Sequence, residues 1–202
     1  RQMCIRDRFS ELDYVHPEDI PNIDLYVDQV TTFIESQLSS LKRDEDEKIL
    51  TKTMINNYTK NHVLPSPDKK KYSKDHVLTL ILIYYLKSFL SIKDIQTLLE
   101  PITDKYFGTE SELSFYELYE ELVAQGNGQS KALIKDVIAK YNAMQNAFSD
   151  APEEDQEFLR NFGFICMLSF DVYIKKMMIE TLIDFNTVSY THLRAHETCA
   201  DL

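Results

Sequence analysis

The sequence predicts an all-α fold, and three observations support this prediction. The chain of 202 residues contains only four glycines, no segment alternates apolar and polar residues as a strand does, and apolar residues recur three and four positions apart in several segments. Proline or glycine separates these segments. We expect an N-terminal module over residues 9–102, followed by a C-terminal helical bundle region over residues 103–187.

The N-terminal module contains four predicted helices, each with a recognisable start or end. Ser, Thr and Pro residues mark these boundaries because they cap or interrupt helices. In chain order the helices are Asn22–Leu41; one capped by Thr51 or Thr53 that buries Ile55 and Tyr58; one capped by Ser73 with an apolar interior from Val77 to Leu86; and Ile92–Leu99, capped by Ser91 and ended by Pro101.

The C-terminal region contains three further predicted helices. The first is capped by Ser111 or Ser114 and ends at Gly126-Asn127-Gly128; the second carries Ala132 to Met144; the third runs from Pro152 to Phe185. The third has an approximate heptad pattern, which predicts a packing helix of a bundle or a dimer surface. Aromatic residues of this region form either a core or a pocket for an effector, and we favour the core: Phe115, Tyr116, Tyr119, Phe148, Phe158, Phe162, Phe164, Phe170 and Tyr173.

The outer face of the second predicted helix carries candidate DNA-binding residues. Residues three and four apart share a side of a helix, so burial of Ile55 and Tyr58 turns the polar positions outward. An Asn amide can bind adenine bidentately in the major groove, while a lysine can contact phosphate. A solvated face is the alternative. The candidates on this helix are Lys52, Thr53, Asn56, Asn57 and Lys60.

A basic loop follows this helix and provides the second group of candidates. Pro65 and Pro67 hold the chain extended, because a proline disfavours the α region for the residue before it. Lys69, Lys70, Lys71 and Tyr72 then follow in sequence, an arrangement suited to a wing on a phosphate backbone. The alternative is a solvated charged loop.

Charge is distributed unevenly along the chain. The formal net charge is −11, which taken alone argues against nucleic-acid binding. From Lys48 to His76, however, seven lysines stand against two aspartates, so this segment carries +5 and the remainder −16. A basic surface on an acidic body favours an oriented approach to DNA.

The segments MINNYTKNHVLPSP, KKKYSKDHVLTL and FLSIKDIQTLL together resemble the DNA-binding region of MerR-type regulators. The resemblance implies a winged helix-turn-helix with Met54–Tyr58 in the recognition helix. Residues Ile20–Leu99 also resemble an uncharacterised MerR-like family of Firmicutes, domain of unknown function 1836. The sequence departs from the MerR pattern at Asn56, where an arginine is usual, at His62, where a glycine is usual, and in the long connector Lys42–Ile49.

Both ends of the chain resemble translated sequencing-adapter strings. We interpret residues 1–8 and 188–202 as artefacts, which removes His192, His196 and Cys199 from consideration as a metal site. Cys166 then remains as a lone cysteine in an apolar segment, where a core position is expected. No apolar stretch is long enough for a membrane span.

These features together predict a non-enzymatic DNA-binding regulator in the cytoplasm. No phosphate-binding loop, dinucleotide fingerprint or hydrolase motif occurs, so we expect no catalytic site, cofactor or metal. The expected partners are double-stranded DNA, a second copy of the chain, and a small-molecule or protein effector at the C-terminal helical region. The alternative is a protein-interaction module that keeps the winged-helix shape without binding DNA.

Overall fold

The computed structural model describes residues 14–109 and 113–200, with side chains as far as Phe185, and it is mostly α-helical. Its two short strands and six α-helices follow the order β1, α1, α2, β2, then α3 to α6. Their bounds are Leu25–Tyr26 (β1), Val27–Leu38 (α1), Lys52–Lys60 (α2), Lys71–Tyr72 (β2), Lys74–Leu86 (α3), Ile92–Tyr106 (α4), Phe115–Gln145 (α5) and Glu153–Ala200 (α6). Single 3-10 turns occur at Pro17–Asp19 and Ser39–Leu41.

Helix α1 begins five residues later than the sequence predicts. The expected helix began at Asn22, but Leu25 and Tyr26 form strand β1, which pairs with β2 in antiparallel register. Tyr26 then caps α1, and its backbone N–H donates to Gln29 Oε1 at 2.9 Å. The predicted spacing of apolar residues is confirmed, because Val30, Ile34 and Leu38 are all buried.

Predicted N-terminal caps are found at four helices, and at α2 and α5 the cap is one of the two residues that the sequence offers. At the start of α2 the Thr51 hydroxyl accepts a hydrogen bond from the backbone N–H of Met54 at 3.2 Å. At the start of α4 the Ser91 hydroxyl accepts one from the backbone N–H of Asp94 at 3.1 Å. At α5 the cap is Ser114, whose hydroxyl accepts from the backbone N–H of Glu117. Ser73 caps α3 together with His76. Each cap satisfies a backbone N–H that has no partner within the first turn.

The predicted ends of α4 and α5 are wrong. Helix α4 continues through Pro101 to Tyr106, and Phe107, which follows it, packs edge-on against the rings of His76 and Phe115. Tertiary packing of this segment outweighs the single hydrogen bond that proline removes. Helix α5 likewise continues through Gly126 and Gly128, since each glycine in a helix costs only about 1 kcal/mol.

Helix α6 also exceeds its predicted end, because it continues past Phe185 to Ala200. The expected aromatic core of the C-terminal region forms only at Phe115 and Tyr119, which are buried. The prediction is wrong for five others, whose side chains are exposed: Phe148, Phe158, Phe162, Phe170 and Tyr173. Cys166 is partly exposed rather than in a core.

Contacts divide the described chain into two compact units. One comprises residues 15–124 with the chain from 183 onward, and the other comprises residues 125–182 with Tyr14. The division between these units falls within α5. A buried hydrogen bond of 2.9 Å from the Tyr119 hydroxyl to the Val15 carbonyl explains why the start of α5 belongs to the first unit.

The sequence predicts neither a membrane span nor a metal site, and it indicates that both chain ends are artefacts. Among the described residues, no helix combines the length and apolarity that a membrane span requires. The same part of the chain brings together no group of three or more His, Cys, Asp or Glu side chains suited to a metal ion. Residues 1–8 lie outside the described residues, as do the side chains of His192, His196 and Cys199.

Candidate DNA-binding surface

Helix α2 separates its apolar and polar residues as the sequence predicts. Ile55 and Tyr58 are buried against the first unit, and burial raises the pKa of the Tyr58 hydroxyl. The five polar candidates are all exposed: Lys52, Thr53, Asn56, Asn57 and Lys60. Two amides and two ammonium groups therefore lie on the solvent side of one nine-residue helix.

The C-terminus of α2 is closed by a Schellman motif. The backbone N–H of Val63 donates to the Tyr58 carbonyl at 2.9 Å, and that of His62 donates to the Thr59 carbonyl at 3.2 Å. The motif requires a left-handed residue at the position of His62, whose φ is 57°. Glycine is the usual residue there, so the motif keeps its geometry while carrying an exposed imidazole.

The lysine loop forms a tight turn at the start of β2. Lys71 N donates to the Asp68 carbonyl at 2.8 Å, and the two central residues, Lys69 and Lys70, have φ values of 46° and 67°. Positive φ at both central positions is the requirement of a type I′ turn, which Asn and Gly normally satisfy. All three lysines are exposed, so the turn presents consecutive ammonium groups to solvent.

Strand pairing attaches this turn to the start of α1. Tyr26 pairs with Lys71 and Leu25 with Tyr72, and the Lys71 ammonium lies 5.9 Å from the centroid of the Tyr26 ring. Pairing of this kind fixes the base of the turn although its tip is exposed. The position of the lysines therefore depends on residues 45 or more positions earlier in the chain.

Tyr72 differs from the other candidate residues because its side chain is buried. Burial raises the pKa of its hydroxyl, and a side-chain hydrogen bond with Thr59 of α2 partly opposes this. The side chain therefore links β2 to α2 instead of presenting a surface for a ligand. Its role in positioning the lysines replaces the direct contact that the sequence suggests.

The His76 side chain packs against Tyr72 and so helps to position the lysine turn. Its Nδ1 accepts from the backbone N–H of Ser73 at 3.0 Å, and its ring packs edge-on against Tyr72 and Phe107. Burial lowers the pKa of His76, and backbone carbonyls at Ser66 and Pro65 and the carboxylate of Asp75 partly oppose this. The Ser-x-x-His spacing at a helix start was available in the sequence as a variant of the capping box.

The connector before α2 is anchored at its end. The side chain of Glu35 in α1 forms an ion pair with Lys42 and accepts from Ile49 N at 3.4 Å, and the Lys42 contact lowers the pKa of Glu35. Lys87 donates to the Ile49 carbonyl at 2.8 Å. The connector Lys42–Ile49 is therefore exposed only from Arg43 to Lys48.

One candidate on α2 already has a partner. The Lys52 ammonium forms an ion pair with Asp28 in the first turn of α1. Both side chains are more than half exposed, so the pair contributes little to stability and a phosphate can compete for the lysine. Asp28 was not recognised in the sequence, because a single Asp in a helix start has no distinguishing signal.

A family model described as a domain of unknown function (DUF1836) matches residues 15–122, which is more than half of the chain. The chain belongs to the DUF1836 family. Every residue of the candidate surface lies inside the DUF1836 segment, and so does the hydrogen bond between Val15 and Tyr119. No curated protein and no solved structure gives a significant match to this DUF1836 chain.

Proposed function

We propose that the chain is a non-enzymatic, MerR-like DNA-binding transcription regulator of the bacterial cytoplasm. In this proposal α2 is the recognition helix in the major groove, and the Asp68–Lys71 turn is the wing on the phosphate backbone. The resemblance of residues 54–99 to MerR-type regulators supports the assignment of these two elements.

The proposal rests on one observation: α2 has an exposed polar face, and the basic Asp68–Lys71 turn is attached to that helix. Tyr72 joins the turn to α2 through Thr59, and β1 joins the same turn to the start of α1. Asn56 and Asn57 are suited to adenine, while Lys60 and the turn lysines are suited to phosphate.

The connector between α1 and α2 distinguishes this arrangement from an ordinary helix-turn-helix, in which about 3–4 residues join the two helices. Residues 42–51 intervene between the end of the 3-10 turn and α2. Because Ile49 is bound by both Glu35 and Lys87, this longer connection still restricts the orientation of α2. We therefore propose that α2 enters the groove at an angle set by this anchor.

The proposal is tested by the salt dependence of DNA affinity, measured by fluorescence anisotropy on a selected duplex and a scrambled duplex. Each phosphate neutralised contributes roughly −0.9 to the slope of log affinity against log salt. Changing Lys69, Lys70 and Lys71 to Ala is expected to flatten the slope by up to about 3 and to weaken both duplexes alike.

The control removes the same charge elsewhere. Lys131, Lys135 and Lys175 are exposed on α5 and α6, and their replacement by Ala lowers the net charge equally. We expect the control to leave most of the slope intact. Asn56→Ala and Asn57→Ala should reduce preference for the selected duplex by about 1–3 kcal/mol without changing the slope.

Absence of DNA binding would favour the alternative function. If the unmodified chain shows no salt-dependent affinity for either duplex, the DNA-binding proposal is wrong. The alternative then takes its place: a protein-interaction module that keeps the winged-helix shape while its acidic helical half binds another protein. A small-molecule or protein effector at the C-terminal helices remains part of the proposal in either case.

A further inference from the structure

His76, in the first turn of α3, is enclosed in part by the segment that carries the lysine turn. Its side chain is only 4% exposed, and its ring packs edge-on against the Tyr72 ring at 5.4 Å between centroids. The backbone carbonyls of Pro65 and Ser66 also lie near the His76 ring. Opening of residues 65–72, which we call the cover segment, would therefore expose this ring to solvent.

The hydrogen bonds of His76 require a neutral imidazole. Its Nδ1 atom accepts from the Ser73 backbone N–H at 3.0 Å and lies 2.8 Å from the Ser73 hydroxyl oxygen. An accepting nitrogen carries no proton, so the proton of the neutral ring is on Nε2. Nε2 is buried and makes no hydrogen bond to any of the described residues. A second proton would occupy Nδ1, break the hydrogen bond from Ser73 N–H and leave a charged ring out of contact with water.

The charged groups around His76 compensate a charged ring only in part. Asp75, its neighbour in α3, and Asp24, which precedes β1, both favour the protonated ring, but burial outweighs them and lowers the pKa of His76. The Asp75 carboxylate already accepts a hydrogen bond from the Gly108 backbone N–H at 2.8 Å. Tyr72 faces the ring with a hydroxyl whose pKa is raised by burial, so it stays neutral. Solvent is therefore the better environment for the protonated ring.

The cover segment is attached by fewer contacts than the other group that packs on His76. Strand β2 pairs only two residues with β1, and the turn before it contains two lysines in the strained left-handed conformation. Phe107, which packs on the same ring at 4.6 Å, also packs against the buried Phe115. Local opening takes place where few contacts must be broken, so a proton on His76 is accommodated by opening of residues 65–72.

We propose that His76 is a pH-sensitive latch: its neutral ring keeps the lysine turn closed, and its protonation releases the cover segment while the rest of the first unit stays folded. In the closed state Tyr72 is buried, and its hydrogen bond with Thr59 connects the turn to α2. In the open state Tyr72 leaves both partners, so the position of the lysines is no longer fixed. The latch concerns the position of the turn and does not rest on DNA binding.

Amide hydrogen exchange of the full chain tests the latch, measured by NMR about one pH unit above and one below the ordinary histidine pKa of about 6.5. The reporter is the Lys71 N–H, which donates to the Asp68 carbonyl at 2.8 Å in the closed turn. An exposed histidine is protonated across this interval, so the open population should rise about tenfold. After correction for intrinsic exchange rates, protection of Lys71 should therefore fall about tenfold.

The second reporter is the amide of Ile81, which is fully buried within α3. Its exchange requires unfolding of the helix, whereas that of Lys71 requires only opening of the cover segment. Ile81 should therefore remain at least about tenfold more protected than Lys71 at both pH values. Equal protection of the two amides would mean that the turn opens only when the whole unit unfolds, and it overturns the proposal.

Variants assign the effect to His76. Glutamine is a usual residue at this position of a capping box, so His76→Gln keeps an acceptor for the Ser73 N–H but does not titrate. His76→Phe keeps an aromatic ring and also does not titrate. Protection of Lys71 should be independent of pH in both variants, while the control His62→Gln, which changes an exposed histidine, should retain the tenfold fall.

Two further results overturn the proposal. One is a Lys71 protection that does not change with pH in the unmodified chain, and the other is a fall that persists in His76→Gln. None of these measurements includes DNA, so their outcome is separate from that of the anisotropy experiment.

Discussion

His62, Lys69 and Lys70 adopt the left-handed conformation without being glycine, and all three are basic and exposed. A left-handed residue with a Cβ costs about 1–2 kcal/mol, so each position gives up stability. Residues kept in such conformations often serve function, which here would be contact with phosphate. Lys69 and Lys70 lie in the turn of the proposed DNA-binding surface, and His62 lies two residues after the end of α2.

Replacing His62 with glycine should therefore stabilise the chain. We expect His62→Gly and Lys70→Gly each to raise the free energy of unfolding by about 0.5–1 kcal/mol, after allowing for the entropy of glycine in the unfolded state. Urea denaturation measures the change. Lys135→Gly, in the middle of α5, is the control and should lower stability by about 0.5–1 kcal/mol. Loss of stability in all three variants would contradict the strain argument.

We expect His76 to make the stability of the chain depend on pH in the acid range. Burial lowers its pKa in the folded chain, so the unfolded chain binds the proton first, at a pKa of about 6.5. The contribution of the neutral imidazole is complete above that pH and is lost as the pH falls towards the folded pKa. His76→Gln should show a shallower loss of stability between neutral and mildly acid pH.

The urea concentration at the midpoint of unfolding, measured over a series of pH values, tests this prediction. His62→Gln is the control, because the His62 side chain is exposed. If His76→Gln and the unmodified chain lose stability in parallel, another group is responsible for the acid dependence.

At the scale of elements, α4 offers a comparison between its two faces. Ile95 is fully buried, whereas Ile92, one turn earlier, is 40% exposed. We expect Ile95→Ala to lower the free energy of unfolding by about 2–5 kcal/mol and Ile92→Ala by clearly less, because only the first creates a cavity. Equal denaturant midpoints would show that the two faces of α4 are equally packed.

The two glycines within α5 also form a matched pair. A Cβ at Gly128 would meet nothing within 4 Å, whereas a Cβ at Gly126 would lie 2.8 Å from the Tyr14 ring. Gly128→Ala should therefore stabilise the chain by about 0.5–1 kcal/mol, and Gly126→Ala by less, because the Tyr14 ring must move. Melting temperatures of the two variants test this, and a larger gain at Gly126 would be inconsistent with the contact.

The sequence predicted those helix faces and helix starts that depend on residues only three or four positions apart. The spacing of Ile55 and Tyr58 gave the buried face of α2, and Thr51, Ser73, Ser91 and Ser114 gave the helix starts, since caps act within three residues. Pairing of Tyr26 with Lys71 was not predictable, because neither two-residue strand has a pattern of its own. The helix through Gly126 was missed because glycine weakens a helix without ending it.

The candidate surface was predictable in part for the same reason. Its exposed residues on α2 followed from helical spacing, whereas the left-handed turn at Lys69 and Lys70 contradicts the usual preference for Asn and Gly. Burial of Tyr72 depends on Thr59 and His76, which approach it only in the folded chain. Long-range contacts of this type leave no periodic signal in a sequence.

For the whole molecule, the chain ends are expected to be dispensable. Removing residues 1–8 and 188–202 should leave the melting temperature unchanged, because neither segment adds a patterned apolar face to a core. The truncated chain retains Tyr14, which contacts Gly126. Calorimetry of both chains makes the comparison, and a midpoint lowered by several degrees would show that an end contributes to the fold.

The hydrogen bond between Val15 and Tyr119 also sets the earliest point in synthesis at which the start of α5 can be fixed to the first unit. Its two residues are 104 positions apart, and ribosomes add about 5–20 residues per second, so Val15 waits roughly 5–20 s for its partner. Helices α1 to α4 can form during that interval, but the start of α5 must emerge before the Val15 end is secured. The contact that joins the start of α5 to Val15 therefore forms only after α1 to α4 have been synthesised.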